Sequence, residues 1–208
     1  RSTLFPYTTL FRSERWVVGG QLVATNADTS VGRFGVGALT QSNGVVLVRA
    51  LNVGDNTGGQ GTLTMAGGTN IVTVGSSTVP VSVGRVANST GTVWVTGGQL
   101  VATNSTSTVR VGETGIGQMT VSNGDVRVTG WTMGLDAGSQ GTLTIAGGTN
   151  WAARTSSGNG LVAGHFASAT GAVWMSGGLL IATNREQIHA IGRSGSVQIG
   201  RASCRERV

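Results

Sequence analysis

Carboxylic acids are the side chains of this protein with the clearest potential for chemistry. Cleavage of a polysaccharide needs clustered carboxylates, or a calcium site, beside a basic residue. Between residues 14 and 198 the acids are spread singly, at Glu14, Asp28, Asp55, Glu113, Asp125, Asp136 and Glu186. The sequence contains no lysine that could act as a base. We therefore expect no catalytic residue and no enzyme, with a polysaccharide lyase or hydrolase as the alternative.

Metal and phosphate sites are the next possibility. The two histidines, His165 and His189, have no second histidine or carboxylate at ligand spacing, so we interpret them as solvated corner residues. The stretches GGQG and GIGQ precede no helix whose N-terminus could hold a phosphate. No aspartate stands in the GGxGxD pattern of calcium-binding β-rolls. The residue types therefore predict neither a metal nor a cofactor.

One charged series stands out, at the position that follows a short apolar run and a glycine. It is occupied by Arg33, Asp55, Arg85 and Glu113, and then by Leu135, His165 and Arg193. The first four alternate in sign, and exposed opposite charges contribute less than about 1 kcal/mol a pair. We predict that they keep successive units in register, with ligand binding as the alternative. Asp55→Arg should then lower thermal stability modestly, and more so at low salt.

The elements that carry these residues belong to a repeat within a repeat. WVVGGQLVATN from Trp16 returns as WVTGGQLVATN from Trp94 and as WMSGGLLIATN from Trp174, at intervals of 78 and 80 residues. A shorter pattern of glycine and alternating apolar residues recurs in steps of 24 to 30 residues, starting at Gly37, Gly61, Gly91, Gly117, Gly141 and Gly171. Repetition of this length is the signature of a solenoid.

Strands must build the short unit, because apolar residues alternate along it, as in Val81 with Val83. Gly-Gly, Asn-Gly and Ser-Ser pairs between the apolar runs supply the corners. Three short strands and three corners fill a unit, and stacking parallel units about 4.8 Å apart buries their apolar faces. The sequence therefore predicts an all-β fold, a right-handed parallel β-helix similar to the pectin-lyase-like solenoids, with about seven coils.

The alignment of the units also predicts which side chains point inward. One row contains Leu39, Leu63, Val93, Met119, Leu143 and Val173, and a second, two residues along, contains Gln41, Met65, Val95, Val121, Ile145 and Met175. A third row precedes a glycine and contains Val31, Val53, Val83, Val111, Met133, Ala163 and Ile191. We expect glycine after the third row because the chain bends close to its neighbours there.

Tryptophans are predicted to point the other way. Trp94 and Trp174 lie between inward positions, and Trp16 takes the same register, with threonines at the equivalent positions of the intervening coils. The rings then recur about 14 Å apart, at about 4.8 Å per coil. Such a row is a candidate glycan-stacking platform, because an indole face packs well on the apolar face of a sugar. The alternative is that each ring covers flanking threonine and valine methyl groups.

Both ends of the chain resemble translated sequencing adapter. Residues 1–13, RSTLFPYTTLFRS, read codon for codon as a common short-read adapter, and residues 199–208, IGRASCRERV, as one frame of its reverse complement. We therefore expect residues 14–198 to be a β-helix repeat fragment interrupted at both ends. The adapter-like ends have no evolved reason to continue the coil pattern, and we expect them to pack poorly. Uncapped end strands should make the fragment self-associate.

The adapter-like ends also distort the composition. They contain the single cysteine, Cys204, so disulfides and thiolate metal sites are not expected in the rest. Without their five arginines and one glutamate the net charge falls from +6 to +2, which removes the argument for a nucleic-acid partner. No apolar run approaches the roughly 20 residues of a membrane helix, so we expect no membrane insertion in this part.

The repeat segments of this chain resemble those of a known family. Segments such as LNVGDNTGGQGTLTMAGGT and VRVGETGIGQMTVSNG resemble the autotransporter-associated β-helix repeats, in particular the repeat shared by type V secretion passengers and PEP-CTERM proteins. The resemblance covers nearly all of residues 16–198 and transfers no catalytic residue. It implies a structural or adhesive segment of a longer secreted, outer-membrane or cell-surface bacterial protein, with surface glycans or host matrix components as expected partners.

Overall fold

The computed structural model describes residues 2–4, 9–11, 14–73, 79–103, 107–152, 158–182, 187–192 and 195–200. All regular structure in this part of the chain is β-strand, and the strands form three parallel sheets of eight strands each. Consecutive strands lie on different sheets, so each strand pairs with the strand three places further along the chain. The chain is a β-solenoid, which confirms the predicted parallel β-helix of three short strands per coil.

The strand bounds show how regular the coils are. Sheet 1 contains β1 (Ser2–Leu4), β4 (Gln21–Ala24), β7 (Val45–Val48), β10 (Thr69–Val72), β13 (Gln99–Ala102), β16 (Asp125–Val128), β19 (Thr149–Ala152) and β22 (Leu179–Ala182). Sheet 2 contains β2 (Thr9–Phe11), β5 (Thr29–Val31), β8 (Leu51–Val53), β11 (Val81–Val83), β14 (Val109–Val111), β17 (Trp131–Met133), β20 (Gly158–Ala163) and β23 (Gln187–Ile191). Sheet 3 contains β3 (Glu14–Val17), β6 (Val36–Gln41), β9 (Gln60–Met65), β12 (Thr90–Val95), β15 (Ile116–Val121), β18 (Gln140–Ile145), β21 (Thr170–Met175) and β24 (Ser196–Gly200).

The three predicted inward rows form the core. In sheet 3, Leu63 pairs with Leu39 on one side and Val93 on the other, and the row continues in register through Met119 and Leu143. These five side chains are buried, as are the valines of the third row in sheet 2. Inward side chains are partly exposed at Val17 in β3 and at Val173 and Met175 in β21. Alternation along each strand therefore predicts the core correctly, because a strand turns successive side chains to opposite faces.

A polar pair interrupts this apolar core. Gln41 stands in the second inward row and is fully buried, and its Oε1 accepts a hydrogen bond of 2.7 Å from Nδ2 of Asn70. Its Nε2 donates to two backbone carbonyls, at 3.1 and 3.3 Å. Burial of an amide is costly unless it is hydrogen-bonded, and Gln41 meets this condition through partners on its own coil and on the next one.

Glycine makes the corner after sheet 2 possible. Gly54 has a φ of +69°, and a Cβ added to it would lie 2.2 Å from the carbonyl oxygen of Thr90 on the next coil. Gly134 repeats this geometry with a φ of +65° and a distance of 2.3 Å to the oxygen of Thr170. Left-handed backbone favours glycine, and the close approach of two coils leaves no space for a Cβ at these positions. The structure confirms the predicted reason for this glycine row.

The adapter-like ends depart from expectation. β1 pairs in register with β4, β2 pairs with β5, and Ile199 and Gly200 continue β24 beside β21. The backbone of residues 2–4, 9–11, 199 and 200 therefore continues the coil pattern, although an adapter-like sequence has no evolved reason to do so. An open edge of a parallel sheet pairs through backbone groups and so accepts any extended chain. The prediction of poor packing concerns side chains that lie outside the described part of the chain. Residues 201–208 also lie outside it.

Candidate functional site

The first candidate site is the charged corner, which consists of Arg33, Asp55, Arg85 and Glu113, each directly after the glycine that follows a sheet 2 strand. Asp55 lies at its centre, with Oδ2 3.6 Å from Nε of Arg33 and Oδ1 2.7 Å from Nη1 of Arg85. Ser30 Oγ donates a hydrogen bond of 2.6 Å to Oδ2 of Asp55. Asp55 is only 3% exposed, whereas both guanidinium groups remain partly exposed. The structure thus brings residues from three successive coils around one buried carboxylate.

Electrostatics at the charged corner favour the ionised arginine. The hydrogen bond to Asp55 holds the pKa of Arg85 above its usual value against the opposing effect of partial burial, and the charges of Asp55, Glu113 and Asp28 act in the same direction as the hydrogen bond. A cation whose pKa is raised on folding stabilises the fold below its usual pKa and loses that contribution only as the pH rises through the raised value. The Arg85 contribution is therefore present at neutral pH.

Glu113 is held differently from a simple alternating stack. Its Oε1 accepts a hydrogen bond from Nη1 of Arg110 on the same stretch of chain, and its Oε2 accepts one of 2.5 Å from Ser82 Oγ on the preceding coil. The next two positions of the series are occupied by Leu135 and His165. Arg193, the last, lies outside the described residues. The ion pairs that join coils directly are therefore concentrated around Asp55.

The histidines occupy two different environments. His165 is half-buried after Gly164, and its ring meets Phe166 edge-on with the centroids 4.3 Å apart. His189 lies within β23 and pairs with Leu161, so its interpretation as a corner residue is wrong. The segment around His189 is too short for its residue pattern to distinguish a strand from a corner. Among the described residues, no three histidine, cysteine, aspartate or glutamate side chains form a group that could hold a metal ion.

Three of the remaining described carboxylates also contact neighbouring coils. Asp28 Oδ1 lies 2.6 Å from Nη2 of Arg49. Asp125 Oδ2 accepts hydrogen bonds from Gln99 at 3.0 Å and from Arg127 at 2.7 Å. Asp136 accepts a hydrogen bond of 3.1 Å from a threonine of the previous coil. The side chain of Glu14, in contrast, is exposed in β3. Glu186 lies outside the described residues.

The second candidate site is the tryptophan row on the outside of sheet 3. Trp94 pairs with Thr64 on one side and Thr120 on the other, so the indole replaces a threonine in one outward row. The complete row is Trp16, Thr40, Thr64, Trp94, Thr120, Thr144 and Trp174. Trp16, Trp94 and Trp174 are 62%, 43% and 41% exposed. Their predicted outward orientation is confirmed, and successive indoles lie three strands apart, or about 14 Å.

Two further tryptophans were not predicted to matter. Trp131 is completely buried in β17, at the inward position where β8 has Leu51. Trp151 is 40% exposed on the outside of sheet 1, where with Arg127, Thr103 and Val128 it lines a cavity of about 160 Å³. Comparison of GGTNW with the earlier GGTNI would have placed Trp151 on the outer face, because the two motifs share a register.

Comparisons with known proteins add no relative. The chain matches no protein-family model, no curated protein and no solved structure. In the part of the chain that the structure describes, no helix is long and apolar enough to cross a membrane.

Proposed function

We propose that this protein is a non-catalytic structural and adhesive segment of a bacterial cell-surface or secreted repeat protein, similar to an autotransporter passenger. One observation supports the structural role most directly: five of the six described carboxylates contact a side chain of a neighbouring coil. The five are Asp28, Asp55, Glu113, Asp125 and Asp136. Acids arranged in this way tie coils together.

These side-chain contacts add to the stability that backbone pairing between coils already provides. Parallel strands pair from coil to coil in all three sheets, with one register shift between Asn159 and Leu161 in β20, so neighbouring coils satisfy each other's backbone groups. An exposed ion pair adds less than about 1 kcal/mol, whereas bonds to a buried carboxylate such as Asp55 contribute about 1.5–3 kcal/mol. Glycosidase chemistry instead uses two carboxylates that face each other across a substrate. The use of acids between coils therefore favours a structural role over a lyase or hydrolase.

Adhesion would occur on the outside of the rod. The exposed indoles of Trp16, Trp94 and Trp174 supply contact area for surface glycans or host matrix components, which are the partners we propose in an extracellular setting. The end strands supply a second kind of contact, because their outer edges can pair with another copy of the chain. Sedimentation should therefore show association that grows with protein concentration, and a monomer at high concentration would contradict edge pairing.

The test of the proposed function measures adhesion and catalysis in parallel. Beads coated with the chain are applied to glycan-coated and matrix-protein-coated surfaces, and the soluble chain is incubated with neutral and acidic polysaccharides. Retention on a surface without release of reducing ends or unsaturated sugars supports the proposal. Product release that Asp55→Asn abolishes would instead establish the enzyme alternative.

A further inference from the structure

The outside of sheet 3 is free of charge over six consecutive strands. Its outward positions, here called the neutral face, are Val36, Ala38, Thr40, Gln60, Thr62, Thr64, Thr90, Thr92, Trp94, Ile116, Gln118, Thr120, Gln140, Thr142, Thr144, Thr170, Ala172 and Trp174. The described ion pairs all lie elsewhere, at the corners of sheet 2 and along sheet 1. Charge and aromatic surface are thus separated on the rod.

We infer that the neutral face binds an uncharged polysaccharide whose chain lies along the solenoid axis and stacks on Trp94 and Trp174. The inference rests on the adhesive part of the proposed function and names the ligand class and the face. The two indoles are half-exposed and share one outward row, three strands apart. A ligand chain parallel to the strands would meet one indole, whereas a chain along the axis meets both.

The residues between the two indoles suit sugar hydroxyl groups. Thr120 and Thr144 continue the row between the rings, and Gln118 and Thr142 pair in register in the adjacent outward row. Hydroxyl and amide side chains both donate and accept hydrogen bonds, as do the hydroxyl groups of a sugar. The combination of aromatic platforms with neutral polar groups therefore matches both the apolar face and the polar rim of a pyranose.

The absence of charge on the neutral face decides between classes of ligand. A polyanion, such as an acidic polysaccharide or a nucleic acid, is bound largely through cationic side chains, and its affinity falls with salt. A second protein chain would need a contiguous apolar core, whereas threonine and glutamine dominate this face. A neutral polysaccharide requires neither cations nor a large apolar patch.

The experiment uses the complete chain and measures retardation in gels that contain soluble β-glucan, mannan or xyloglucan, with polygalacturonate as the acidic counterpart. Trp94→Thr and Trp174→Thr restore the threonine of the neighbouring coils, and Trp151→Thr removes an equally exposed indole from sheet 1 as the matched control. We expect at least one neutral polymer to retard the chain independently of salt. Each single substitution should weaken binding roughly tenfold, and the double substitution should abolish it.

A series of oligosaccharides of the retarding polymer sharpens the test. Affinity should rise steeply once the oligosaccharide spans about 14 Å, because the second indole then binds within the same complex. That rise should disappear in Trp94→Thr and in Trp174→Thr.

Several results would overturn the inference. They are retardation by polygalacturonate alone, equal loss of binding in Trp151→Thr, and the absence of binding to every neutral polymer. A lower melting temperature of Trp94→Thr without glycan binding would show that the ring only covers methyl groups. Loss of self-association in that variant would assign the face to a second copy of the chain. Trp-independent retention on matrix-coated surfaces would overturn the glycan inference and leave the adhesive function standing.

Discussion

The coil that carries Asp55 and the coil that carries Leu135, 80 residues later, share a backbone and differ in their corner chemistry. Both residues follow a glycine with left-handed φ, and the backbone amide of each bonds to a glycine carbonyl of the preceding coil. Asp55 forms ion pairs with two arginines and accepts a hydrogen bond from a serine, whereas Leu135 occupies the same position and has no charge. The glycine therefore determines the corner, and the following side chain adds a tie only where the neighbouring coils supply partners.

The core shows the same contrast between the two long repeats. Asn70 and Asn150 are equivalent, 80 residues apart, and both are fully buried. Asn70 donates to Gln41, whose equivalent in the second repeat is Val121, so the Nδ2 of Asn150 reaches only a backbone carbonyl at 3.5 Å. Within the described residues, the Oδ1 atoms of both asparagines are buried without a hydrogen bond, so the two repeats differ in what the Nδ2 atom reaches. A repeat can thus retain a polar residue in one copy after its partner has changed.

The largest expected effect tests what the two corners share. Gly54→Ala and Gly134→Ala should each lower the free energy of unfolding by about 3–5 kcal/mol, because a Cβ in left-handed backbone would also strike the next coil. Urea unfolding followed by circular dichroism measures the loss. Gly58→Ala is the control for positive φ alone, since no atom lies within 4 Å of its added Cβ. A much smaller loss for Gly134→Ala than for Gly54→Ala would show that the charged tie, and not the glycine, shapes the corner.

The next effect tests what distinguishes the corners. Asp55→Leu copies Leu135 and should lower the free energy of unfolding by about 2 kcal/mol, because it removes the bonds from Arg85 and Ser30. Asp55→Arg should cost more, and its cost should grow at low salt, because three guanidinium groups then repel one another. Asp136→Leu, which removes a single bond to a threonine, is the control and should cost less than about 1 kcal/mol. A salt-independent effect of Asp55→Arg would contradict the electrostatic account.

A smaller loss of stability is expected when the buried residues of the first long repeat are made to match those of the second. Gln41→Val should lower the free energy of unfolding by about 1–2 kcal/mol, because the side-chain amide of Asn70 then loses its partner. Adding Asn70→Leu should recover most of this loss, since replacement of both polar partners by apolar groups is nearly neutral. A double-mutant cycle measured by thermal unfolding tests the coupling, and additive effects would show that the two amides do not depend on each other.

The smallest expected effect is a gain in stability. Asn150→Leu should raise the free energy of unfolding by about 1 kcal/mol, because it removes a buried amide whose Oδ1 lacks a hydrogen bond and whose Nδ2 makes only a bond of 3.5 Å. Leucine fits this inward row, in which Leu100 and Leu180 already occur. Asn70→Leu, made alone, should instead destabilise, because it deprives Gln41 of its donor. Equal signs for the two substitutions would contradict the difference between the repeats.

Much of the fold could be predicted because it depends on local alternation repeated in register. Val83 and Val93 had to point inward and Trp94 outward, since neighbouring strand residues face opposite sides. The rows then followed from the repeat, because parallel coils place equivalent residues beside each other. The candidate tryptophan row was predictable for the same reason.

The side-chain partners could not be predicted in this way. Glu113 follows Arg85 in the charged series, yet its carboxylate accepts hydrogen bonds from Arg110 and Ser82. A long side chain can reach several partners, and the sequence does not specify which of them it contacts. The buried pair of Gln41 with Asn70 joins two different sheets, so no pattern along one strand reveals it.

The sequence by itself therefore determined the strand pattern, the coil register, the glycine corners and the inward or outward direction of side chains such as Trp94. These properties follow from backbone geometry with a period of two residues and from repetition along the chain. Only the tertiary structure decided which carboxylate is buried, which amide has a partner and that His189 lies in a strand. These properties depend on distances between coils and between sheets, which are set when the three sheets close around a common core.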